Sequence, residues 1–131
     1  MEPVKIVIRY ADGKTIKGFS YNFSPNKHLF HIKLVNTDEV VEVLIKELKA
    51  VFFVRDFAGN PSYDEWKQFD KGPNQPGRRI EVTFTDGEVL VGSTTGYDPQ
   101  RLGFSFSPVD PNSNNVKVFV IFDAVKKIRY L

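Results

Sequence analysis

Apolar and polar residues alternate along two stretches of this chain. In "KIVIRYADGKTIKG", Ile6, Ile8 and Tyr10 alternate with Lys5, Val7 and Arg9; Asp12-Gly13 then interrupts, and a second alternation runs to Gly18. Successive side chains of a strand point to opposite faces, so period two predicts a strand, a turn and a second strand. The same order recurs in "IEVTFTDGEVLVG", where Ile80, Val82 and Phe84 alternate with Glu81 and Thr83 before Asp86-Gly87. A two-residue loop would set Ile8 against Lys17. A three-residue loop, with glycine at positive φ as a bulge, sets Ile8 against Ile16 and Val82 against Leu90. The pattern predicts the bulged turn in both places.

The recurrence extends further. Asp12-Gly13 falls on Asp86-Gly87, Gly18 on Gly92, Pro25 on Pro99, Phe30 on Phe104 and Ile32 on Phe106, all at an offset of 74 residues. A three-residue insertion follows, and "LKAVFFV" then falls on "VKKIRYL", with Lys49 on Lys126 at an offset of 77. Matches held in register over most of two segments predict an internal duplication. Each copy continues with a third strand ("LFHIKLV", "GFSFSPV") and a fourth ("EVVEVLI", "VKVFVIF"). A short helical turn ("KEL", "DAV") then leads into a fifth strand. Five short strands with costly edges predict closure into a small barrel. The expected fold is therefore all-β: two tandem five-stranded barrels, residues 1–55 and 78–131, joined by a connector at 56–77. In that connector Ser62-Tyr63-Asp64-Glu65 has the form of a capping box, which predicts a short helix docking Tyr63 and Trp66 on a barrel.

The fifth strand of the first copy and the fourth of the second, "KAVFFV" and "VKVFVIF", are almost continuously apolar. Such runs are buried on both sides or meet a partner. Burial between the two copies across a pseudo-twofold face is the economical reading; a protein partner on an exposed Phe53 or Phe119 is the other.

Composition and charge narrow the function classes. An apolar fraction of 41% with 26% charged residues belongs to a folded globular chain rather than a disordered one. Cysteine is absent, which excludes disulfides and thiolate metal sites. The start "MEPVKIVIRY" lacks a signal peptide's apolar stretch and no run approaches a membrane span, so a cytoplasmic protein with no membrane partner is expected. Net charge is only +2. The first copy is nevertheless basic, and with Tyr21, Phe23 and His31 it could hold nucleic acid by charge and stacking. Lys5, Arg9, Lys17 and Lys33 on the outward side of alternating strands are better read as a solvated face that discourages edge pairing.

No catalytic chemistry stands out. His28 and His31, three apart on a strand, point to opposite faces and do not share a metal. "GSTTG" at Gly92–Gly96 lacks the lysine and helix of a phosphate loop. Glu39/Glu42 and Asp86/Glu88 lie on turns or polar faces, without the burial that tunes catalytic carboxylates. The expectation is a non-enzymatic protein with no catalytic residue, no metal and no cofactor.

Strand, Asp-Gly turn, glycine-ended strand, two further strands and a helical turn before a fifth strand resemble the Sm-like and SH3-like small barrels. That resemblance implies the barrel fold and, for the Sm-like kind, a nucleic-acid partner; the Asp-x-x-Met-Asn and Arg-Gly signatures of that kind are absent. "NFSPNK" also resembles the Asn/Asp-x-Ser-x-x-Gly motif of the PilZ barrel, with Asn22 and Ser24 in place and Lys27 at the glycine position. Arg78 and Arg79 precede the first strand of the second copy. The resemblance implies an anion site at Asn22, Ser24, Arg78 and Arg79, with the arginines as bidentate phosphate donors. The tandem arrangement with "KAVFFVRDFAGNP" looks like bacterial proteins of unassigned function. The expected function is a non-enzymatic binding or regulatory module acting through a protein partner or a small anionic ligand. A nucleic-acid module and a cyclic-dinucleotide receptor with a degenerate motif are the alternatives.

Overall fold

A computed structural model describes residues 4–20, 22–24, 27–57, 77–96, 100–109 and 114–131. The first half contains β1 (Val4–Tyr10), β2 (Thr15–Ser20), β3 (Leu29–Leu34), β4 (Val40–Leu44) and β5 (Leu48–Val54). The second contains β6 (Arg78–Phe84), β7 (Val89–Thr94), β8 (Gly103–Pro108), β9 (Asn115–Ile121) and β10 (Val125–Tyr130). A single 3-10 turn, Ile45–Glu47 or Phe122–Ala124, precedes the last strand of each half. The described residues contain no α-helix. The connector residues 58–76, with the capping box and Trp66, lie outside the described residues.

The ladders repeat residue for residue. β1 pairs with β2 as Ile8 opposite Ile16, and β6 with β7 as Val82 opposite Leu90. Each hairpin turns through three residues. Tyr10 N–H donates to the Lys14 carbonyl and Phe84 N–H to the Glu88 carbonyl, with Gly13 at φ 98° and Gly87 at φ 95°. This is the bulged turn that the hydrophobic register demands. Even the irregularity of the last strand is shared: Lys49 is skipped where β5 pairs with β1, and Lys126 where β10 pairs with β6.

The expectation of two closed barrels is corrected. All ten described strands form one antiparallel sheet in the order β10-β6-β7-β8-β9-β5-β1-β2-β3-β4, and among the described residues nothing pairs with the outer sides of β10 and β4. A closed half would pair its own fourth and fifth strands. Here β5 pairs instead with β9 of the other half, Val51 opposite Phe119 and Phe52 opposite Val118. The reason lies in the sequence of β5, which is apolar on both faces. Beside β9 it buries both of them. Ala50, Phe52 and Val54 enter a core with Ile80, Val82, Phe84, Phe104 and Val120. Val51 enters the other, with Ile6, Ile8, Phe30, Ile32 and Val43, and β9 sends Phe119 and Ile121 there. Each half thus completes the other's core. The contact joins a fifth strand to a fourth, so it is head-to-tail rather than pseudo-twofold.

The second and third strands of each half approach closely at a glycine. A β-carbon on Gly18 would stand 2.2 Å from the Lys33 carbonyl oxygen, and one on Gly92 2.1 Å from that of Ser107. Only glycine admits so close a backbone crossing.

Candidate functional site

Charge gathers where the halves meet. Lys49, 6% exposed, projects from the β5 bulge toward the β6–β7 turn. Its Nζ donates to Asp86 Oδ2 at 2.7 Å and to Glu88 Oε1, and lies 4.7 Å from the centre of the Phe84 ring. Arg9 reaches the same Glu88 at 3.7 Å and covers the Phe52 ring. The Lys49 hydrogen bond, followed by the Glu88 backbone N–H, holds the Asp86 carboxyl below its ordinary value. A buried ammonium needs this pairing, because removing it from water unpaired is costly. The sequence showed Asp86 and Glu88 as carboxylates of a polar turn; their cation stands 37 and 39 residues earlier.

The residues assigned to an anion site lie in different halves. Asn22 follows β2 and completes its ladder: its Oδ1 accepts the His31 backbone N–H at 3.0 Å, and its amide meets His31 Nδ1 at 3.1 Å. Beside it the Ser20 hydroxyl donates to the His31 carbonyl at 2.9 Å, a bond that Thr94 repeats to Ser105 in the second half. The Ser24 carbonyl accepts Lys27 N–H. Arg78 and Arg79 open β6, six places from β2 in the sheet. Arg78 stacks 5.3 Å over the Tyr130 ring, and the Arg79 carbonyl accepts Leu131 N–H.

The basic face of the first half is occupied from within. Lys5 Nζ donates to the Arg55 carbonyl and Lys17 Nζ to that of Phe57, which also meets Phe19 edge-to-face. Phe119 is buried, and Phe23 stacks edge-on against it, Phe30 and Phe53. Tyr21 lies outside the described residues. Among the described residues no three His, Asp or Glu side chains group as metal ligands, and no helix is long and apolar enough to cross a membrane.

The two ends of the sheet differ from its interior. Leu34 N–H bonds the Glu39 carbonyl and Ile45 N–H that of His28. Ladder parity then points the Val41 and Val43 amides at β3 and those of Val40, Glu42 and Leu44 outward. At the other end Leu131 N–H bonds Arg79, so the Ile128 and Tyr130 amides point away from β6. Val40 is 61% exposed at one edge and Tyr130 51% at the other.

A family model described as "Family of unknown function (DUF6982)" matches residues 2–131. Neither the curated proteins nor the solved structures contain a significant match. The Sm-like, SH3-like and PilZ resemblances therefore rest on the residue pattern alone.

Proposed function

We propose that this chain, which belongs to the DUF6982 family of unknown function, is a cytoplasmic, non-enzymatic binding module working through protein contacts at the outer strands of its described sheet. One observation carries this reading: among the described residues the sheet ends at β4 and β10, with outward backbone amides beside exposed apolar side chains. An open edge accepts an added strand through main-chain hydrogen bonds, and alternate side chains supply selectivity. The β5–β9 junction is a working example of that contact inside the molecule.

Protein contact is favoured over the alternatives by where the polar groups are spent. Lys5, Lys17 and Arg9 act within the chain, which weakens the case for a nucleic-acid face. Asn22 is committed to His31, which weakens the case for an anion site there. The test is Glu42→Pro, which deletes an outward amide at the middle of β4 and leaves its bonds to β3. Proteins captured from the native organism by the wild type should be lost by this variant at unchanged near-ultraviolet dichroism. An identical captured set would overturn the reading.

A further inference from the structure

The internal junction exists in the chain a second time, divided between its two ends. Three independent features carry this. The first is topology. A fifth strand (β5) joins a fourth (β9), leaving a fourth (β4) and a fifth (β10) outermost among the described strands. Translating the junction register by the repeat offsets sets Ile128 opposite Glu42 and Arg129 opposite Val41. The outward amides of both edges then meet, since Ile128 and Glu42 replace Val51 and Phe119.

The second feature is an ion pair in two separated parts. At the junction, Lys49 of the β5 bulge holds Asp86 of the opposing turn. Lys126 occupies the same bulge of β10, and Asp12 the same place in the β1–β2 turn. Both are exposed, and the strands that carry them stand six places apart in the sheet. Asp12 Oδ1 accepts only the neighbouring Lys14 N–H, and Lys126 has no partner among the described residues. Within one chain this pair cannot form. Between two chains the junction geometry forms it.

The third feature is charge. The β10 edge carries Lys126 and Lys127, with Arg129 paired to Glu81 of β6, whereas β4 and its approach carry Glu39 and Glu42, with Asp38 paired to Lys33 of β3. Edges of opposite sign attract each other and repel their own kind.

We infer that β10 of one copy docks on β4 of a second copy in the register of the β5–β9 junction, with Lys126 paired to Asp12 across the contact. The inference rests on the edges being the binding surface and names their occupant. Such a contact is heterologous, and repetition yields a ring or an open chain. It is weaker than the internal junction. Lys127 and Arg129 stand where Ala50 and Phe52 are buried, and Lys14 stands where Glu88 supplies a second carboxylate. Association is therefore concentration-dependent and falls with salt.

Sedimentation velocity on the full chain, from micromolar to millimolar and at low and high salt, tests this. Wild type should associate at low salt. Lys126→Glu and Asp12→Lys, each alone, should weaken association about tenfold by placing like charges together. An equimolar mixture of the two variants should associate again, because each contact then pairs opposite charges. Asp12→Asn keeps the turn's hydrogen bond and removes the charge, so it should weaken association even if Asp12→Lys disturbs the turn. A wild type that stays monomeric throughout, or variants and mixture indistinguishable from wild type, would overturn the inference. Loss of captured partners in Glu42→Pro beside a monomeric wild type would uphold the edge reading and reject only the second copy.

Discussion

Lys49 Nζ stands 2.7 Å from Asp86 Oδ2, joining the last strand of one half to the first turn of the other. Because the ammonium is buried and its two acceptors face solvent, the two sides of the pair differ in cost. Lys49→Met removes the charge and leaves apolar volume, and is expected to lower stability by about 2 kcal/mol. Asp86→Asn with Glu88→Gln strands the ammonium and should lower it further. Urea midpoints compared at equal m-value check the order.

Acid should act on the same contact. Asp86 is held below its ordinary value of 3.8, first by the Lys49 hydrogen bond. A depressed folded value adds stability that is complete above the unfolded value and is lost as pH falls through the folded one. Wild type should therefore exceed Asp86→Asn in stability above about pH 4, and the two should converge below it. Denaturant midpoints across that range give the comparison; parallel curves would reject the assignment.

Two kinds of glycine should respond differently. Gly18→Ala and Gly92→Ala drive a methyl group into a carbonyl oxygen, at 2.2 and 2.1 Å, and should cost about 3 kcal/mol or prevent folding. Gly13→Ala meets no atom within 4 Å, and only its φ of +98° opposes the change. Its cost should stay at about 1 kcal/mol. Thermal midpoints of the three variants would separate steric crossing from backbone strain.

Phe23 touches Phe30 and Phe53 of its own half and Phe119 of the other, at centroid distances of 5.0, 5.3 and 5.4 Å. Phe23→Ala removes all three edge-to-face contacts and should cost about 2 kcal/mol. Hydrogen exchange should then quicken on both sides of the β5–β9 pair. Quickening confined to the first half would mean that Phe23 does not bridge the halves.

Local pattern in the sequence was enough to place the strands, the bulged turns and the duplication. Strand periodicity and turn chemistry act between near neighbours, and Ile8 opposite Ile16 follows from which register keeps an apolar residue off a lysine. The both-sided burial of "KAVFFV" was also legible. The neighbour that achieves it was not: alternation tells which faces are apolar and carries no information about which distant strand lies alongside. Barrel closure and β5–β9 exchange both cover the same side chains, and the choice falls to long-range packing, in which Phe119 completes one core and Phe52 the other. The candidate site follows the same division. Asn22, Ser24, Arg78 and Arg79 could be picked out by residue type. Their placement six strands apart, Asn22's commitment to His31 and Lys49's pairing with Asp86 depend on contacts that only the folded sheet creates.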